Sequence, residues 1–142
     1  MNKSKLLKVK KISKEVRSDI INYSYKSKAH HIGSELSCVE ILVTLYFEIM
    51  NINLKNIKKK SRDFFILSKG HAALALYIVL AKKGLFNINI IKNEFLANSG
   101  RLGGHPDYRS VKGIECSTGS LGHALSIGAG IALAKKMDKK SG

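Results

Sequence analysis

Acidic residues are scarce in this sequence: 10 Asp+Glu stand against 25 Lys+Arg, leaving a formal net charge of +15 over 142 residues. That balance directs attention to anionic partners, whether nucleic acid, acidic membrane surfaces or phosphorylated small molecules. Arginine is scarce too, at Arg17, Arg62, Arg101 and Arg109 alone. Bidentate reading of bases relies on arginine, so a dedicated nucleic-acid binder is disfavoured. The lysines, concentrated in residues 3–14, 55–62 and 135–140, read as solvated faces. A single proline beside abundant Lys, Ile and Asn also reads as a nucleotide bias of the source genome. Two cysteines, Cys38 and Cys116, are too few for a disulfide scaffold or a four-cysteine zinc site. No apolar run approaches the roughly 20 residues needed to cross a bilayer. The basic start, Met1 to Lys14, lacks the apolar stretch that a secretory signal requires. These absences predict a soluble, cytoplasmic protein of a reducing compartment.

What is present is an ordinary globular share of hydrophobic residues, 44%, on about the length of one domain. No repeat, low-complexity tract or linker divides it. A basic, flexible leader over residues 1–12 is expected to precede a helix from Ser13 to Lys26, with Val16, Ile20 and Tyr23 as its apolar stripe. A polar turn, Lys28 to Gly33, follows. Ser37 and Glu40 then form a capping-box pattern, opening a helix whose buried face is Ile41, Leu42, Leu45, Tyr46 and Ile49. Asp63 to Leu67 is a short apolar run that predicts a strand buried on both faces. Ser68-Lys69-Gly70 leads into an apolar helix, His71 to Lys83, closed by Gly84. A short helix over 88–96 and a Gly-rich loop over 98–119 come next; loops of that length tend to be functional. The last helix runs from Ser120 to Met137, with Ala124, Gly128 and Ala132 placed for close packing. The expected class is α/β, helix-rich, with a parallel sheet and with function on the loops.

Generic chemistry narrows quickly. His30, His31, His71, His105 and His123 lack the spacing of a helical zinc pair or a Cys/His finger. Gly128-Ala129-Gly130 has no third glycine and lies in a helix, so it is no dinucleotide fingerprint. Gly119-Ser120-Leu121-Gly122 misses the nucleophile-elbow spacing, and no acid pair stands out. His31, His71 and His105 each sit in or beside a Gly-containing turn at an element boundary, where side chains meet ligands. One such histidine is commonly a satisfied structural side chain; three in equivalent settings weaken that reading.

Four segments, in order, resemble the N-terminal part of transketolases. They are His31-Ile32-Gly33 with Leu36-Ser37, Leu67-Ser68-Lys69-Gly70-His71-Ala72, Gly104-His105-Pro106-Asp107, and Glu115 through His123 with its Thr118-Gly119-Ser120-Leu121-Gly122 core. The set covers nearly the whole chain from Ser13. The resemblance implies the thiamine diphosphate-binding fold of that family and a divalent metal, Mg2+ or Ca2+. It implies transfer of a two-carbon ketol unit between sugar phosphates in carbohydrate metabolism. His31 would lie beside the reactive thiazolium carbon, His71 near the cofactor diphosphate and substrate, and His105 against a substrate hydroxyl at the reacting carbons. The backbone of Gly119 and Leu121 would face the aminopyrimidine.

The departures are specific. His30 stands where the family usually has glycine, and Glu35 where small or neutral residues are common; Glu35 is expected to point outward. In the family a Gly-Asp-Gly…Asn metal motif follows the segment matching Lys135 to Gly142, so metal ligands are expected outside this sequence. The glutamate that activates the aminopyrimidine belongs to the next domain, normally of a partner subunit. Split transketolases are two chains, and this sequence resembles the front part of the N-terminal one. The expectations are therefore an enzyme component working as a homo- or hetero-oligomer with a C-terminal subunit, or a non-catalytic remnant or interaction module of the same fold. In either case residues 1–142 alone are expected to bind the cofactor weakly or not at all.

Overall fold

The N-terminal lysine cluster is compatible with a helix because Asn2 supplies a cap, its Oδ1 accepting from the Lys5 N–H at 2.9 Å. In the computed structural model, which describes residues 2–59 and 61–138, helix α1 therefore spans Lys3–Ser27. Residues expected to be a flexible leader are its first turns. Val9, Ser13, Val16, Ile20 and Ser24 form its buried face, and Lys5 and Lys8 reach Glu48 at 3.4 and 2.9 Å. The helix stops at Lys28, whose φ of 53° is left-handed. Lys60, Lys139 and Lys140 of the predicted basic clusters lie outside the described residues.

Two short helices follow, α2 (Ile32–Leu36) and α3 (Val39–Thr44), and α3 runs into a π-helical turn, Leu45–Ile49. The capping box does not form. Ser37 Oγ donates instead to the Ser34 carbonyl at 2.9 Å, and the Glu40 carboxylate takes a forked pair of bonds from Arg17 of α1. Tertiary partners override the local motif. Of the predicted buried face, Leu42 and Tyr46 are buried, whereas Ile41 and Ile49 are exposed.

The segment 63–67 has no regular secondary structure and among the described residues pairs with no strand; the sole bridge among them is an isolated parallel one between Phe95 and Leu102. A doubly buried strand needs neighbours to take up its N–H and C=O groups, and the described residues provide none beside it. The α/β expectation is thus met in its helices and not in a sheet.

The centre of the molecule is helix α4 (Ala73–Lys82), entered through a 3-10 turn, Gly70–Ala72. All residues from Ala73 to Ala81 are buried, and α1 and α3 pack on it. Each fully buried Leu, Ile or Val there contributes about 1.5–3 kcal/mol of transfer free energy. Gly84, at φ +81°, ends it as predicted. Helix α5 (Asn89–Glu94) and the long irregular loop lead to helix α6 (His123–Met137). Of the small-residue stripe only Ala124 is buried; a Cβ on Gly128 would meet nothing within 4 Å, and Ala132 is exposed. Among the described residues no helix is long and apolar enough to cross a membrane.

Candidate active site

His31, His71 and His105 come from three separate parts of the chain and meet. The first caps α2, the second lies in the 3-10 turn before α4, and the third is on the long loop. Their ring centroids are 4.8 Å apart for His31–His71, 4.7 Å for His71–His105 and 5.5 Å for His31–His105, all edge to face. His30 is exposed and has no such ring contact among the described residues.

Close backbone approach makes this convergence possible. A Cβ on Gly70 would stand 2.7 Å from the Thr118 carbonyl oxygen and 2.9 Å from the Gly119 nitrogen, so only glycine lets the His71 turn lie against that segment. Gly119 in turn lies against the His105 ring, where a Cβ would be 3.5 Å from Cδ2. The Thr118 N–H donates to the Pro106 carbonyl at 3.2 Å, fastening the two loops together. Lys69 Nζ donates to the Ser34 carbonyl at 3.0 Å and to Ser37 Oγ at 2.7 Å, tying the His71 turn to α2 behind His31. Behind the Gly119 segment, Arg62 and Glu115 form a forked ion pair at 2.6 and 2.9 Å, with side chains only 9% and 8% exposed. Arg62 also donates to the Ile57 and Asp63 carbonyls, so its charge is fully engaged.

Burial, followed by the neighbouring His71, His105 and His30, pushes the His31 imidazole below its ordinary value, which favours its neutral form. A neutral imidazole offers one donor and one acceptor, which suits a polar substrate and proton exchange. Glu35 is turned inward, contrary to expectation: it is 2% exposed, and Ser24 Oγ donates to its carboxylate at 3.1 Å. Burial raises its carboxyl above the usual range, with the Ser24 bond opposing in part. Cys38 and Cys116 are free thiols, both pushed up by burial.

Of the residues singled out by sequence, the three histidines and Gly119 come together, while Leu121 is exposed in the turn leading into α6. Thr118 lies in the matched Thr118–Gly122 core, but sequence reasoning assigned it no role of its own. Its Oγ1 is buried without a hydrogen-bond partner, and it lines a cleft of about 220 Å³ with Ser117, Gly119, Ser120, His123 and Ile127. An unsatisfied hydroxyl beside open glycine backbone fits a planar ligand edge bearing donors and acceptors, as an aminopyrimidine does. Among the described residues no group of three or more His, Cys, Asp or Glu is placed to hold a metal ion.

Three imidazoles thus converge where glycine lets their loops approach, against the Thr118–Gly119 segment. Residues 9–141 match the family described as Transketolase, thiamine diphosphate binding domain, and the chain belongs to that family. It is 44% identical over 128 residues to one of the subunits of the apulose-4-phosphate transketolase of Phocaeicola vulgatus, covering 89% of this chain and 44% of that one. It is 44% identical over 109 residues to the 6-deoxy-6-sulfo-D-fructose transketolase subunit SqwG of a Clostridium species, covering 76% of this chain and 39% of that protein. The chain thus spans less than half the length of these curated relatives. Among solved structures, the transketolase from Leishmania mexicana superposes with a TM-score of 0.81 at 26% identity, over 89% of this chain and 19% of that one.

Proposed function

We propose that this chain is the front part of a transketolase subunit, supplying the histidine side of a ketol-transfer site. The observation that carries this reading is the mutual approach of His31, His71 and His105 within 4.7–5.5 Å beside Gly119. Thiamine diphosphate, when bound, supplies a nucleophilic carbon and an electron sink for the two-carbon unit. Thr118 and the backbone of Gly119 and Leu121 would hold its aminopyrimidine, and His71 would face its diphosphate. His31 and His105 would grip the hydroxyls flanking the bond that breaks and shuttle the hydroxyl proton. The relatives named for a sugar phosphate and a sulfo-sugar support an anionic sugar as substrate. The active enzyme would also need the family's metal motif, its cofactor-activating glutamate and a C-terminal domain, and relatives named as subunits are in keeping with a partner chain supplying part of this.

The test is reconstitution. Mixing the chain with the candidate partner, magnesium and thiamine diphosphate should give ketol transfer between sugar phosphates, and His105→Ala should lower kcat by about 100-fold or more. Turnover that survives His105→Ala undiminished would refute the assignment, and a folded assembly with no turnover would favour a non-catalytic module. By calorimetry the chain alone should bind the cofactor with magnesium weakly or not at all, since the charge of a diphosphate is normally held by a metal ion. Micromolar binding would overturn that expectation.

A further inference from the structure

We propose that Tyr77 is the positioning residue for His105, its buried hydroxyl fixing the loop from which the imidazole projects. The catalytic consequence rests on the ketol-transfer reading above; the contact does not. Tyr77 is the single polar side chain in the buried run Ala73–Ala81 of α4. Its ring lies edge to face with Phe95 at 6.3 Å. Its Oη is 3.0 Å from the His105 carbonyl oxygen and 3.3 Å from that of Gly103, so one hydroxyl hydrogen serves two carbonyls.

Packing alone would be met by phenylalanine at this place. Burying a hydroxyl is unfavourable unless it is bonded, and here the bonds go to the backbone of one loop. Among the described residues the His105 imidazole makes no hydrogen bond of its own. Its location is inherited from its backbone, from Gly119 against the ring and from the other two histidines. The Pro106 carbonyl is already taken by the Thr118 N–H, so Tyr77 supplies the remaining anchor, at the His105 carbonyl itself. Burial, with Asp107 adding to it, holds the phenol well above its ordinary range, so it remains a donor across the pH range of the folded protein. The rigid core helix thereby sets the height of the imidazole on an otherwise irregular loop.

The measurement is nitrogen-resolved NMR of the imidazoles in the full chain. Tyr77→Phe should shift or broaden the His105 signals, with the signals of His31 and His71 following through ring contact and those of exposed His30 unchanged. An unchanged His105 beside a lowered Tm would mean that Tyr77 is merely structural, and the proposal fails. Should that variant not fold, meta-fluorotyrosine at position 77 keeps the size and strengthens the donor; His105 must again respond, and silence overturns the proposal. In the reconstituted enzyme, Tyr77→Phe should lower kcat about tenfold to hundredfold with KM nearly constant, the scale expected for a displacement near 1 Å. Full kcat in that variant would refute the catalytic consequence. If the unsubstituted assembly transfers no ketol unit, the ketol-transfer reading falls, and the imidazole spectra still decide for or against Tyr77.

Discussion

Glu35 shows how a single buried carboxyl sets a pH dependence. Its folded value is raised, chiefly by burial, above the roughly 4.3 of an unfolded glutamate. Between those two values the folded chain keeps a proton that the unfolded chain has released. Stability is therefore highest in acid and falls as pH rises through that window. Glu35→Gln should raise the Tm at pH 7 by about 3 °C, and the gain should vanish near pH 4. A Tm difference independent of pH would contradict this. The inward turn of Glu35 was not legible in the sequence, because it depends on a serine from another helix. The histidines were legible because each abuts a glycine turn. Tyr77 was not, since a tyrosine in an apolar helix has no local mark of the loop it will meet.

At the scale of elements, the joints between segments are held by contacts that tolerate little. Gly70→Ala would drive a methyl group into the Thr118 carbonyl, and backbone is on both sides. The variant should lose about 1–3 kcal/mol by urea denaturation and separate the His71 and His105 signals. Glu115→Gln would leave the Arg62 guanidinium buried without its counter-charge, at a cost of about 3–5 kcal/mol. A loss below about 1 kcal/mol would mean that water reaches the pair. Helices α4 and α6 could be read from their apolar runs, with Gly84 closing α4; the start of α6, expected at Ser120, falls at His123. The strand over 63–67 and the capping box at Ser37 could not. A ladder depends on a neighbouring strand, and here Arg17 and Lys69 claim the polar groups that the capping pattern reserved.

Across the whole molecule, exposed apolar side chains gather on and around α6. Leu125 is 83% exposed on α6, with Leu133 and Met137 also exposed. Gly128, Ile131 and Ala132 line an open groove of about 480 Å³ with Leu45, Ile49, Phe64 and Ile66. Water against exposed hydrocarbon is unfavourable, and its burial favours association. The chain alone should enhance the fluorescence of a hydrophobic dye and self-associate in sedimentation at micromolar concentration. Leu125→Lys combined with Leu133→Lys should suppress both. A monomer indifferent to the dye would refute this reading.

The three imidazoles stand at positions 31, 71 and 105, so no local stretch of chain can bring them together. One long loop must close before any pair of them touches, and two before all three meet. Their ring contacts therefore report the closing of both loops, not the winding of any one helix. A histidine signal characteristic of the cluster would thus distinguish the assembled protein from a chain that has formed only its helices.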